Sequence, residues 1–362
     1  MNTCNALDHK YYDIDLNITS LCNLRCAYCS IPEVSKSTKV PEKTIKRNFK
    51  IWIKKLINSS YKPRFIMVIG AEPLMASKEL ITYIINKIHK HFDIYVKIQT
   101  NGTLLTDEYA NYLFKNLNKP EKLKIGWSID GVKSLHDKYR DNSYDLAMLN
   151  MLNCAKKYPF LNHTITTVGH EHFQNNNEDE LLNFIKVCHD NNIEPTISVA
   201  DYSLNPKAKS KYNITFEEVW KPLANFLIKN NLLHLCRKYL AVNYCRRHKN
   251  NCPRILFDMG LGGVYTCEKT FDVKNAQFSN YINDENNNLD EHFQIKQCYF
   301  KDVKISDECK ECEFYEFCQG GCPLKRDETG KPTGCEFTKY ILEYLKYKTD
   351  LKDNYLEFLK NI

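Results

Sequence analysis

The sequence predicts an α/β fold: a partial (βα)6, TIM-like barrel followed by a smaller cysteine-rich domain. Short apolar runs alternate with amphipathic stretches over the first 200 of 362 residues, and parallel strands need such helical crossovers. Six units are too few to close an eight-stranded barrel. After about residue 201, clustered cysteines replace the regular alternation, which predicts a second domain.

The barrel strands are predicted where short apolar runs end in turn-forming residues. These runs cover residues 12–18, 64–69, 94–99, 123–129, 163–168 and 196–200. Helical periodicity predicts the intervening helices. They cover residues 42–58, 78–91, 106–117, 144–157 and 178–190, with Thr106 as one N-cap.

Four segments follow from this pattern. The core covers residues 1–210, a helical linker 211–243, the cysteine-rich domain 244–345 and a C-terminal helix 346–362. Because the first strand begins near residue 12, we expect no room for an additional N-terminal domain.

Composition narrows the class of protein. There is no apolar run that could span a bilayer and no N-terminal signal peptide. The sixteen cysteines are clustered, which favours metal or iron–sulfur binding in a reducing cytoplasm over disulfides. The net charge of +7 is dispersed, so we expect neither nucleic acid nor membrane as a partner.

The distinctive motifs all follow predicted strands. A cysteine loop follows the first strand, "GAEP" the second and "TNG" the third, and "SIDG" lies at the end of the fourth. Ligands of parallel α/β folds bind at the carboxyl ends of strands. The sequence therefore predicts one site at that edge.

The cysteine loop offers Cys22, Cys26 and Cys29 as thiolate ligands. Thiolates select zinc, copper(I) or iron–sulfur clusters. A structural zinc site would close with a fourth Cys or His, and none follows promptly. Three ligands instead suggest a [4Fe–4S] cluster with one iron open to a small molecule.

The segment "CNLRCAYC" resembles the Cys-x3-Cys-x2-Cys loop of the radical S-adenosylmethionine (radical SAM) superfamily. The resemblance implies that the amino and carboxylate groups of S-adenosyl-L-methionine (SAM) chelate the open iron. It also implies reductive cleavage of SAM to a 5′-deoxyadenosyl radical that abstracts a hydrogen atom from a substrate.

The resemblance extends to other SAM-binding positions. "GAEP", comprising Gly70, Ala71, Glu72 and Pro73, resembles the family's "GGEP" segment, which binds the SAM amino group through backbone carbonyls and the glutamate. Ala71 replaces the second glycine, so close backbone approach there must tolerate one methyl group.

Three further positions are implied at the SAM site. The resemblance implies that Ser128 and Asp130 lie near the SAM ribose and carboxylate, and that the carbonyl of Tyr28 meets adenine. Gln99 joins them as a cofactor-binding candidate. Ser128 and Asp130 have an alternative interpretation as a turn and a helix cap.

The C-terminal cysteines resemble the SPASM domain, which holds two auxiliary [4Fe–4S] clusters. All seven cysteines of its pattern are present, together with its glycine, Gly262. The cysteines are Cys252, Cys267, Cys309, Cys312, Cys318, Cys322 and Cys335. Cys245 is the natural eighth thiolate, with Cys236 as a weaker candidate. Two zinc-ribbon-like sites are the alternative.

By family analogy, the eight thiolates divide into two sets. The first is Cys245, Cys252, Cys267 and Cys322; the second is Cys309, Cys312, Cys318 and Cys335. Five cysteines remain without a metal: Cys4, Cys154, Cys188, Cys236 and Cys298. Burial is their default interpretation, although one could serve as a catalytic thiolate.

"QTNGTLL" and "SIDGVKSLHDKYR" resemble the branch of sulfatase and peptide maturases. A sulfatase maturase uses an Asp after the second SPASM cysteine as its base and has a Tyr shortly after the loop cysteines. This chain has Glu268 and Ile31 there. Those departures favour an oxidoreductase that crosslinks ribosomally made peptides, with an anaerobic sulfatase maturase as the alternative.

Glu268 is the predicted catalytic base, which would accept the proton released when the crosslink forms, while the auxiliary clusters take up the electron. Its alternative is a salt bridge with Lys269. The expected partners are a precursor peptide, a reductant such as flavodoxin or ferredoxin, and possibly a separate leader-binding protein. A small-molecule dehydrogenase or epimerase, and a metal-stabilised binding protein without radical chemistry, are further alternatives.

Overall fold

The computed structural model describes residues 11–29, 39–199, 215–236, 253–266, 277–298, 302–332 and 334–347. Its first strands alternate with helices as the sequence predicts. They are β1 (Tyr11–Asn17), β2 (Lys62–Ile69), β3 (Val96–Thr100), β4 (Leu123–Ser128), β5 (Leu161–Val168), β6 (Ile193–Glu194) and β7 (Ile197–Val199). The predicted sixth strand, residues 196–200, corresponds to β7, whereas the two-residue strand β6 before it was not predicted. β6 and β7 pair with successive parts of β5.

The sheet continues beyond β1 with three short strands from the C-terminal part. They are β8 (Arg254–Asp258), β9 (Gly263–Tyr265) and β10 (Ser279–Asn280), and the order is β10-β9-β8-β1-β2-β3-β4-β5-β6. β8 runs parallel to β1, whereas β9 and β10 are antiparallel. Among the described residues the sheet has two ends and is not closed, which confirms the partial barrel.

The sequence assigned these last strands to a separate domain and did not predict them. They have five, three and two residues, too few for a clear alternation of apolar and polar side chains. The structure therefore joins strands from the predicted cysteine-rich range to the sheet of the core.

The helices that cover the sheet begin and end close to their predicted residues. They are α1 (Glu42–Ile57), α2 (Lys78–His91), α3 (Asp107–Asn116), α4 (Lys133–Tyr139), α5 (Tyr144–Lys157) and α6 (Asn177–Asp190). Thr106 caps α3 as predicted, because its side chain accepts from the N–H of Tyr109. The short helix α4 was not predicted from the sequence.

The C-terminal half adds smaller helices. They are α7 (Lys221–Lys229), α8 (Asp290–Cys298), α9 (Asp307–Lys310), α10 (Tyr315–Cys318) and α11 (Cys335–Tyr347). α11 begins inside the predicted cysteine-rich range, and residues 348–362 of the predicted C-terminal helix lie outside the described residues. No helix in the described part of the chain has the length and apolar character needed to cross a membrane.

One face of β1 is apolar and the other is polar. Tyr12, Ile14 and Leu16 belong to the fully buried apolar core, and side chains two apart share a face. The opposite face carries Asp13, Asp15 and Asn17, which are polar and also buried. Such polar burial is unusual without a function or a partner.

Candidate active site

The cysteine loop leaves the carboxyl end of β1 and is fastened to the end of β2. The N–H of Ala71 donates to the carbonyl of Thr19 at 3.0 Å, and the N–H of Glu72 donates to that of Leu21 at 2.8 Å. A β-carbon on Gly70 would lie 2.5 Å from the Thr19 oxygen, so this close approach requires glycine there.

The three thiols of the loop are partly exposed, and N–H groups approach two of them. The N–H of Leu24 lies 3.4 Å from the sulfur of Cys22, and the Asn101 amide and the Arg140 guanidinium reach Cys22 and Cys26 at 4.0 Å. Burial raises the pKa of Cys26 to about 11, although nearby Arg140 lowers it. Coordination to a metal deprotonates such a thiol.

This donor set fits an iron–sulfur cluster. It consists of soft sulfurs approached by N–H donors, and hydrogen bonds to sulfur help to tune such clusters. Within the described ranges, no three His, Cys, Asp or Glu side chains converge on a single metal ion. A four-iron cluster does not require convergence on one point, because its thiolates bind separate irons.

Glu72 joins the loops that follow β2 and β3. Its carboxylate is buried and accepts from the N–H of Leu74 at 3.1 Å, the hydroxyl of Thr100 at 2.8 Å and the N–H of Asn101 at 2.7 Å. Burial raises its pKa to about 7 despite these hydrogen bonds. Pro73 follows it as the first residue of a short 3₁₀ turn, Pro73–Met75.

Asn101 is a site residue that the sequence analysis did not single out. Its amide nitrogen donates to Asn23 at 2.9 Å, and its carbonyl accepts from the N–H and the hydroxyl of Thr103 at 3.0 and 2.7 Å. Asn23 donates in turn to the Thr103 hydroxyl at 2.8 Å. The position of "TNGT" after a strand was the available signal.

Gln99 and Ser128 meet on neighbouring strands. The amide of Gln99 donates to the hydroxyl of Ser128 at 2.9 Å, while its carbonyl oxygen is buried and has no hydrogen-bond partner within the described residues. A β-carbon on Gly126 would lie 2.2 Å from that oxygen. Glycine at position 126 therefore makes room for the Gln99 side chain.

The carboxylate of Asp130 is bound by donors of the protein itself, and its nearness to SAM stays a prediction. Its carboxylate is fully buried and accepts from the hydroxyl of Tyr28 at 2.5 Å, the guanidinium of Arg140 at 3.0 Å and the N–H of Thr167 at 3.2 Å. This geometry favours a positioning role for Asp130 over direct contact with a ligand.

Two buried histidines hold the backbone of Asp130. The N–H of Asp130 donates to Nδ1 of His136 at 3.2 Å, and Nε2 of His172 lies 3.2 Å from the carbonyl of Asp130. Nε2 of His136 lies 3.0 Å from the hydroxyl of Ser143. Burial lowers the pKa of His136 to about 4 and also lowers that of His172, so both rings are neutral near pH 7.

A second cluster of thiols lies in the C-terminal part. Four cysteines line one pocket: Cys309, Cys312, Cys318 and Cys335. These are the four that the sequence assigned to one auxiliary cluster, and Cys322, assigned to the other, does not line the pocket. The division itself stays a prediction.

The remaining predicted site residues belong to segments outside the described part of the chain. Cys245, Cys252, Cys267 and Glu268 lie outside the described residues, as does Ile31. Thr266, which follows strand β9, is the last described residue before Cys267.

The chain is similar to known proteins in both sequence and fold. Residues 16–199 match the family model described as the Radical SAM superfamily. The "Cysteine-type anaerobic sulfatase-maturating enzyme" of Clostridium perfringens is 24% identical over 360 residues, which cover 91% of this chain and 93% of that one.

Two solved structures share the fold. "Native anSMEcpe with bound AdoMet and Kp18Cys peptide" has a TM-score of 0.73 at 19% identity and covers 97% of this chain and 100% of its own. Streptococcus suis SuiB bound to precursor peptide SuiA has a TM-score of 0.63 at 12% identity and covers 92% and 77%.

Proposed function

Because the chain belongs to the radical SAM superfamily, we propose that this enzyme oxidises a cysteine or serine side chain of a polypeptide to formylglycine. One observation carries the proposal: the similarity to a cysteine-type sulfatase-maturating enzyme spans 91% of the chain. It therefore extends well beyond the segment that the family model matches and includes the cysteine-rich part.

The family implies a [4Fe–4S] cluster and SAM, and Cys22, Cys26 and Cys29 are the residues that would hold the cluster. When bound, SAM and the reduced cluster supply a 5′-deoxyadenosyl radical. Gly70 and Glu72 would bind the SAM amino group, and the side-chain carbonyl of Gln99, which has no hydrogen-bond partner among the described residues, would be an acceptor beside Ser128. Tyr28 would offer its carbonyl to adenine, while its hydroxyl fixes the loop through Asp130.

The oxidation of a substrate cysteine balances as follows. Its β-carbon loses one hydrogen atom to the radical, which becomes 5′-deoxyadenosine, and then loses one electron and its thiol proton. The resulting thioaldehyde takes up water and releases hydrogen sulfide, which leaves the aldehyde of formylglycine. Glu268 is the proposed acceptor of the proton.

The C-terminal cysteines would hold two auxiliary clusters that supply an acceptor for the electron. Four of them already line one pocket, which supports the second set of the proposed division. The first set needs Cys245, Cys252 and Cys267, which are outside the described residues.

Crosslinking of a ribosomally made peptide is the second candidate function. The sequence carries Glu268 and Ile31 where the sulfatase-maturase pattern has Asp and Tyr, and the fold is shared with SuiB bound to its precursor peptide. Both candidates act on a residue of a polypeptide, and they differ in what replaces the lost hydrogen atoms. The relatives favour formylglycine formation over the crosslink that the sequence favoured.

The proposal includes its partners and its compartment. A polypeptide substrate is common to both candidates, and a one-electron reductant such as flavodoxin or ferredoxin would reduce the cluster. A separate leader-binding protein belongs to the crosslinking candidate alone. Clustered thiols suit a cytoplasmic enzyme, where they stay reduced.

The test is product analysis with the anaerobically reconstituted enzyme, SAM and dithionite. The substrates are a peptide that spans the modified cysteine of a sulfatase, its serine variant and its alanine variant. We expect a hydrazide-reactive aldehyde from the cysteine or serine peptide and none from the alanine peptide. Release of 5′-deoxyadenosine with no aldehyde on any peptide would contradict formylglycine formation, and loss of hydrogen without an aldehyde would favour the crosslink.

A further inference from the structure

A buried ion pair lies directly behind the cysteine loop. Nε of Arg140 is 3.0 Å from Oδ2 of Asp130, and the two side chains are 9% and 0% exposed. Taking two charges out of water is expensive, and such a pair often adds little to stability. Its position beside the thiols therefore suggests a role in the site.

The guanidinium is oriented toward the loop. Its Nε is shared between Asp130 and the hydroxyl of Tyr28, which is 2.5 Å away. This leaves the terminal nitrogen Nη1 to face the sulfur of Cys26 at 4.0 Å. The guanidinium carbon also lies 5.2 Å from the centre of the Tyr28 ring. One side chain thus contacts both a thiol of the loop and the tyrosine that follows it.

Asp130 is itself held at every polar group. Thr167 donates to its second carboxylate oxygen, and His136 and His172 contact its backbone N–H and carbonyl. The rings of both histidines are buried. The anchor of Arg140 is therefore held by strand β5, by helix α4 and by the short 3₁₀ turn His170–Phe173.

The charge has a direct consequence for electron uptake. A cluster ligated by thiolates gains one negative charge on reduction, and hydrogen bonds to its sulfurs and nearby charges tune its potential. A cation about 4 Å from one sulfur acts through a partly water-excluded medium, where charges interact more strongly than in water.

We propose that Arg140 is a positioning residue for the SAM-binding cluster: it holds the Cys26 segment in place and stabilises the reduced state. The same side chain has both effects, because its Nε fixes Tyr28 while its Nη1 faces the sulfur. The inference rests on the cluster that the family implies and not on the polypeptide substrate.

The test combines a redox titration of the reconstituted enzyme, followed by electron paramagnetic resonance, with hydrogen exchange of the metal-free chain. For Arg140→Gln we expect the ratio of reduced to oxidised cluster at a fixed potential to fall about tenfold, which is ~59 mV for one electron. Lys133→Gln removes a charge from α4, the helix that ends just before Arg140, at 47% side-chain exposure. It should leave the potential unchanged, because water and salt screen exposed charges.

Arg140→Lys separates the effect on the potential from the effect on the position of the Cys26 segment. It also replaces the glutamine variant in the titration if that variant takes up no iron. It keeps the charge but cannot contact Tyr28, Asp130 and Cys26 together. We expect a smaller change of potential and faster hydrogen exchange of residues 22–29 in the metal-free chain, where the N–H of Ala27 bonds to Tyr139 in the native chain.

Native potential and native exchange in the Arg140 variants that load iron would overturn the inference. A native potential with faster exchange would overturn its electrostatic part alone. If these shifts occur while no peptide is modified, the proposed substrate is wrong and the inference stands.

Discussion

The side-chain nitrogen of Asn101 lies 2.9 Å from the side-chain oxygen of Asn23 and 4.0 Å from the sulfur of Cys22. The loop after β3 therefore supports the cysteine loop directly. The backbone N–H of the same Asn101 donates to Glu72, so the loops after β1, β2 and β3 meet at this residue. Asn101 and the carboxylate of Glu72 thus hold the cysteine loop beside the predicted SAM site.

Asn101→Ala should destabilise the metal-free chain by about 1–3 kcal/mol. The change leaves the N–H and hydroxyl of Thr103, which are buried, without their acceptor. Urea unfolding followed by circular dichroism measures the loss. Asn153→Ala on α5 is the control, and its free energy of unfolding should lie within about 0.5 kcal/mol of that of the native chain. Equal losses in the two variants would contradict the conclusion that Asn101 joins the three loops.

Replacement of Cys22, Cys26 and Cys29 by alanine should remove about one third of roughly 12 irons per chain, which three four-iron clusters would hold. SAM cleavage should disappear, because these residues would hold the cluster that binds SAM. Iron analysis and chromatography of 5′-deoxyadenosine measure both effects. Cys154→Ala, at a buried cysteine on α5, should keep its iron; cleavage that survives the triple change would place the radical chemistry elsewhere.

The division of the auxiliary cysteines predicts the iron content of paired variants. The double variant Cys318→Ala, Cys335→Ala removes two ligands of the set that lines the pocket, and it should lose about one third of the iron. Cys322→Ala with Cys335→Ala changes both proposed sets and should lose about two thirds. Anaerobic reconstitution with iron analysis measures this difference, and equal losses would show that the cysteines are divided in another way.

The buried histidine behind Asp130 predicts a pH dependence of stability. The pKa of His136 falls from 6.5 to about 4 in the folded chain, so the unfolded chain binds more protons between these values. Its contribution to the free energy of unfolding is present above pH 6.5 and is lost as the pH falls toward 4. His136→Gln does not titrate and lacks this loss.

The measurement is urea unfolding of the metal-free native chain and of His136→Gln at pH 7.5 and pH 5. The difference in unfolding free energy between the two chains should shift in favour of the variant by about 2 kcal/mol at the lower pH. The same difference at both pH values would mean that His136 is not held neutral by burial.

Glu268→Gln should slow product formation on the order of a hundredfold while 5′-deoxyadenosine is still released. The amide cannot accept the proton that leaves with the second electron. Lys269→Gln distinguishes the alternative: if Glu268 serves only as the partner of Lys269, both variants should slow the product equally. Single-turnover assays with the cysteine peptide compare the rates.

Local patterns predicted much of the fold. α2 and α5 cover the predicted residues 78–91 and 144–157, because an amphipathic period and a cap are local signals. β8 to β10 and α4 were not predicted from the sequence. They are short, and β8 is stabilised by pairing with β1, from which it is far removed along the chain.

The sequence by itself determined which ligands the chain offers and at which strand ends, because thiolate chemistry and strand periodicity depend on near neighbours. Only the tertiary structure decided that Asp130 faces Tyr28 and Arg140, that Asn101 supports Cys22, and that four C-terminal cysteines line one pocket. These contacts join loops from different strands, so they depend on sheet order and register, which no local pattern encodes.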